Sequence, residues 1–162
     1  MPWSYIPFAL FPLVDINPEK VDELLEEARK GGGDVHCFWL AKENYDDAPK
    51  RETGKAHEGD APPISRDYTS PFIGKKVEDV ADWLRNKPDS TDLDLHHFAI
   101  LDKTAQDGKI VICRIGGPKL KDQSDLDFMR LSALDGTQFL RGISAGMWEE
   151  AKEDYGKAKI EY

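Results

Sequence analysis

FALFPLVDINPEKVDELLEEARKGGGDVHCFWL, residues 8–40, is the stretch on which the fold turns. Asn17 suits a helix N-cap and Pro18 the first helical position, while Val21, Leu24, Leu25 and Ala28 recur at helical spacing. Gly31-Gly32-Gly33 then stops the helix, with Arg29 and Lys30 placed in its last turn. The pattern predicts a helix over 18–30 whose outer face, Glu19, Asp22, Glu23, Glu26 and Glu27, is a solvated acidic stripe. Before it, residues 1–16 read as an extended leader and a first strand. After it, Val35–Leu40 is apolar on both parities, which predicts a strand covered on both faces and placed centrally in its sheet. Strand, helix and strand make a βαβ unit with a right-handed crossover.

The next thirty residues differ in kind. KENYDDAPKRETGKAHEGDAPPISRDYTSP, residues 42–71, is polar, rich in Pro and Gly, and without period. A loop of this length inside a compact domain is usually functional or disordered, and Tyr45 and Tyr68 suit one that packs at its ends only. Helical spacing returns at Val77, Val80, Ala81 and Leu84, with Trp83 off the stripe and Pro88 beyond the end. Residues 95–101 and 109–115 read as strands joined by a turn containing Asp107-Gly108, and Phe128–Leu131 as an edge strand. Two short helices close the chain, capped by Asp135 and Ser144, and 156–162 reads as a loose tail. The expectation is a single α+β domain over 1–162. It has a mixed sheet of about five strands with helices packed on its faces, in the order strand, helix, strand, long loop, helix, three strands and helix.

With that order in place, three stretches are similar to a family of small standalone proteins known only as a domain of unknown function. They are FALFPLVDI (8–16), HHFAILDKTAQDGKIVICRI (96–115) and ISAGMWEEAKEDY (143–155). The chain departs from that family in its long 42–71 segment and in the close Ala145–Glu150. The resemblance implies the fold and no catalytic residue.

Acidic residues outnumber basic ones 31 to 22, for a net charge of −9. A surface of that sign repels phosphate backbones and anionic lipid, which argues against nucleic acid and membrane as partners. The apolar start is interrupted by Pro2, Pro7 and Pro12 and lacks a basic flank, so it does not read as a targeting segment, and the expected location is cytoplasmic. Cys37 and Cys113 each sit in an apolar run, as buried thiols do.

The four histidines are His36, His57, His96 and His97. Adjacent residues on a strand point to opposite faces, so His96 and His97 cannot share one ion, and metal-binding spacings are missing. No metal and no cofactor is expected. Gly31–Gly33 stands after a helix and before a strand, the reverse of a phosphate loop, and Gly116-Gly117-Pro118 ends a strand without opening a helix. Ser144 in G-I-S-A-G follows a helix rather than a core strand, so it reads as a cap, not a nucleophile.

Two functions fit these residues. The first is a non-catalytic binding or regulatory protein recognising a protein partner or a small ligand, with Trp39, Tyr45 and Tyr68 as ligand-binding residues. The second is a small enzyme with His36 or His96 as general acid or base, in a pocket where the 42–71 loop covers His36, Trp39 and His96. Oligomeric state has no signature in the chain.

Overall fold

The structure, a computed structural model, describes residues 6–50, 59–115, 126–142, 147–155 and 158–162. Its five strands are β1 (Phe8–Pro12), β2 (Phe38–Leu40), β3 (His97–Leu101), β4 (Lys109–Arg114) and β5 (Asp127–Ser132). Its four helices are α1 (Pro18–Gly31), α2 (Val77–Arg85), α3 (Ala133–Gly142) and α4 (Met147–Tyr155). The sheet order is β2-β1-β3-β4-β5, with β2, β1 and β3 parallel and the β3-β4 and β4-β5 pairs antiparallel. This is the mixed sheet and the element order that the residue pattern predicts.

Each face of the sheet carries one helical layer because β1, β2, β3 and β4 are apolar on both parities. Phe8, Leu10, Leu40, Leu101 and Ile112 face α1, α3 and α4, where Leu24, Leu25, Leu140 and Trp148 meet them. Ala9, Phe11, Trp39, Phe98 and Val111 face α2 through Val77, Val80, Ala81 and Leu84. The chain moves one way across the sheet from β1 to β2 and the other way from β2 to β3. Right-handed crossovers in opposite directions place their helices on opposite faces, as α1 and α2 are placed.

Local chemistry sets the boundaries. Asn17 Oδ1 accepts from Lys20 N at 2.8 Å to cap α1. Gly31, the last residue of α1, lies so close to α3 that a Cβ there would stand 2.1 Å from the Leu134 carbonyl oxygen. That glycine is therefore a contact point as well as a helix stop. The β3–β4 connection is a 3-10 turn over Lys103–Asp107, closed by Gly108 at φ 78°, a conformation that favours glycine. Ser132 rather than Asp135 supplies the first cap of α3, its Oγ accepting from Asp135 N at 3.1 Å. The expected cap Ser144 and the break at 116–118 lie outside the described residues.

Two expectations are corrected. Residues 35–37 are not strand, and β2 stands at the edge of the sheet, not at its centre. Its double-sided apolar pattern reflects cover above and below, which says nothing about its lateral neighbours. The expected loose tail also packs: Ala158 is buried, and Tyr162 Oη accepts from the first amide of α2, Val77 N, at 3.2 Å. Among the described residues no helix is long and apolar enough to cross a membrane.

The tail is held by a buried ion pair. Asp102, fully buried at the end of β3, accepts from Thr104 N, from Glu161 N at 2.9 Å and from Arg130 at 2.8 Å. Burial alone would raise its pKa, but these hydrogen bonds outweigh it and hold the carboxyl below its ordinary value. A carboxyl whose folded pKa lies below its unfolded pKa adds stability above the unfolded value and loses it as pH falls through the folded one. Arg130 keeps a quarter of its side chain exposed. Arg130→Ala should therefore cost about 3 kcal/mol near neutral pH, the low end for a broken buried pair. Urea denaturation should show the gap to wild type shrinking as pH falls below the ordinary carboxylate range toward the lowered pKa of Asp102.

Candidate functional site

The parallel strands β1 and β2 lie side by side, yet their carboxyl ends lead to opposite faces. β1 runs on through Leu13–Ile16 to α1, and β2 leaves through Ala41 toward α2 on the other side. Diverging exits open a crevice between adjacent strand ends, the place where open α/β sheets bind ligands.

The insertion returns to this crevice and clasps both strands. Its residues 59 and 60 lie along the free edge of β2. Gly59 N donates to His36 O at 2.6 Å and Asp60 N to Phe38 O at 2.7 Å, while Asp60 Oδ2 accepts from Leu40 N at 2.7 Å. The outward carbonyls of His36 and Phe38 and the outward amide of Leu40 are thus answered. Farther on, Tyr68 Oη donates to Ala41 O at 2.8 Å and Ser70 Oγ to Pro12 O at 2.6 Å. These two hydroxyls tie the carboxyl ends of β2 and β1 to the same segment.

Tyr68 walls three hollows around this point. A cavity of about 410 Å³ is lined by Lys42, Glu43, Asp46, Asp47, Asp67 and Thr69 with it. A second, of about 210 Å³, lies between Leu40, Lys42 and Asp60 on one side and Pro63, Ile64 and Ser65 on the other. A third, of about 10 Å³, reaches in beside Pro12, Ile16 and Ser70. Burial pushes the Tyr68 hydroxyl well above the ordinary phenol range and the Asp60 charge adds to this, with Ser70 offsetting part of it, so the group is a neutral donor. Lys42 stands 3.3 Å from Asp47, leaving Glu43, Asp46 and Asp67 to set the sign of the larger cavity. A groove of about 610 Å³ outside the crevice runs between Pro62-Pro63 and α1. Its carboxylates Asp22, Glu23, Glu26 and Glu27 are each paired, with Arg66, Lys20, Arg29 and Lys30.

Of the ligand-binding residues expected from the sequence, Tyr68 is in the crevice and the other two are not. Trp39 is buried on the α2 face, stacked 6.1 Å from Trp83, and Tyr45 stacks on Trp83 at 4.0 Å. Tyr45 donates its hydroxyl to the Trp83 carbonyl, and burial raises its pKa. These rings form packing, which also explains why Trp83 lies off the α2 stripe.

His36 and His96 are not brought together. They precede β2 and β3 at the amino end of the sheet, with β1 between them, so about 10 Å separates their strands. None of the four hollows is lined by either. The three hollows walled by Tyr68 lie at the opposite end of the strands from His36 and His96. His97 packs against Trp148 at 5.8 Å, its Nδ1 3.8 Å from Asp94. His57 lies outside the described residues, among which no group of three or more metal-ligating side chains occurs.

Both cysteines are free and buried. Burial pushes the Cys37 thiol up to about 11, with Thr137 offsetting part, and raises Cys113 as well, with Asp102 and Asp127 adding to it. Neither is a thiolate at neutral pH.

Lys42, Gly59, Asp60 and Ser70 are site residues that sequence reasoning missed. Gly59 and Asp60 read as loop punctuation because nothing in a polar, aperiodic run marks which amides will meet a strand edge. The chain matches no protein-family model, no curated protein and no solved structure.

A Cβ on Gly59 would stand 2.1 Å from Phe38 O, so the clasp has no room for a side chain. Gly59→Ala should cost about 2 kcal/mol by urea denaturation, the scale of overpacking. It should also speed hydrogen exchange of the Leu40 amide, while amides of the β3–β4 pair stay protected.

Proposed function

We propose that this protein is a non-catalytic binding protein whose small-ligand site is the crevice at the carboxyl ends of β1 and β2. One observation carries the reading: Tyr68 walls three adjoining hollows where neighbouring parallel strands send their chains to opposite faces. The lining supports binding over covalent chemistry. It offers a neutral phenol, apolar walls from Leu40, Pro63 and Ile64, and carboxylates, while the histidines stand at the other end of the strands and the thiols are buried.

The lining also favours a class of ligand. Glu43, Asp46, Asp47 and Asp67 face a cavity whose one lining cation, Lys42, is already paired. A small organic molecule carrying an amine or guanidine group, with an apolar part to set against Ile64 and Leu40, matches these surfaces. Attraction between partly exposed charges is screened by salt.

The test is a titration of isotope-labelled protein with a panel of small organic amines and guanidines, read by amide chemical shifts. Perturbations should cluster at residues 40–47 and 60–71, weaken as salt rises, and be lost in Tyr68→Ala. Shifts that cluster around His36, His96 and His97, or a panel that binds nowhere at low salt, would overturn the reading.

A further inference from the structure

The part of the insertion that roofs the crevice is strung between two firm anchors. Upstream, Gly59 and Asp60 are bonded to the β2 edge. Downstream, Tyr68 and Ser70 hold the strand ends, and Phe72 is buried beside Phe11. Between these anchors Ala61, Pro63, Ser65, Arg66 and Asp67 are exposed, and Ile64 is half-buried against the α1-side core. A segment with so few buried contacts opens at far lower cost than the sheet beneath it.

Its middle is latched from α1. Asp22 accepts from the Ile64 amide at 2.8 Å and from the Arg66 guanidinium at 2.7 Å, with Glu19 a further 4.0 Å contact of Arg66. The segment also divides two hollows. The pocket of about 210 Å³ lies on its β2 side and the groove of about 610 Å³ on its α1 side, and Pro63 lines both.

We propose that residues 61–67 form a gate latched by Asp22, which on release lifts between its anchors and joins the pocket to the groove along α1. Its use in admitting a ligand rests on the binding reading above, but the motion does not. A gate without a ligand and a ligand site without a gate are therefore separate results.

Cys37 and Cys113 are buried, so a thiol placed at position 64 reports on this segment. In the full chain carrying Ile64→Cys, adding Asp22→Ala should speed thiol labelling about tenfold or more, the scale of hydrogen bonds to a charged group. Glu23→Ala, on the same helix face, should leave the rate unchanged, and Arg66→Ala should raise it less than Asp22→Ala does. In Asp22→Ala without the new cysteine, hydrogen exchange should quicken at Ile64 while Gly59, Asp60 and the β3–β4 amides stay protected. A labelling change below about twofold would overturn the gate. So would faster exchange spread equally over β3 and β4, since that is loosening of the whole domain.

Discussion

The outward backbone of β2 has to find partners, and much of the molecule follows from how it does so. A three-residue apolar strand at the edge of a sheet presents carbonyl and amide groups that water or another chain would otherwise take. Here the protein supplies its own partners from twenty residues downstream, and the pairing is close enough to demand glycine at position 59. An edge strand that reads as a central one is thereby accommodated. The cover also fixes where the rest of the insertion runs, because a chain leaving Asp60 on the β2 edge must cross the carboxyl end of the sheet to reach Phe72 and α2.

That crossing makes the crevice. Tyr68 and Ser70 bond the carbonyls at the ends of two parallel strands, so the insertion is tied to backbone rather than to side chains that could turn away. The two ends of the sheet then differ in character. The amino end carries His36, His96 and His97, the last packed on Trp148. The carboxyl end carries a half-buried phenol, several carboxylates and concave space. The buried Asp102–Arg130 pair closes the far corner of that end by holding the tail across β3 and β5.

Periodicity made the fold legible. Val21, Leu24, Leu25 and Ala28, and likewise Val77, Val80, Ala81 and Leu84, are the residues that α1 and α2 bury. The double-sided apolar runs correctly announce helices on both faces. They could not announce lateral position, since covering a strand above and below leaves the same pattern at an edge as at the centre. The site was legible only in outline. That the 42–71 segment was unlike its surroundings could be read, and Tyr68, expected there as a ligand-binding residue, lines the crevice. Trp39 and Tyr45, expected beside it, stack with Trp83 instead, and aromatic content alone does not separate a pocket wall from a ring stack. Gly59, Asp60 and Ser70 act through backbone partners distant in sequence, which no local spacing reveals.

The central claim is that the carboxyl ends of β1 and β2, and not the histidine end, form the binding surface. Crystals soaked in a series of small polar organic solvents test it directly, because ligand sites gather unrelated probes while ordinary surface does not. The account predicts that different solvents converge beside Tyr68, between Leu40–Lys42 and residues 60–65. Convergence beside His36 or His97, or no shared position among the solvents, would contradict it.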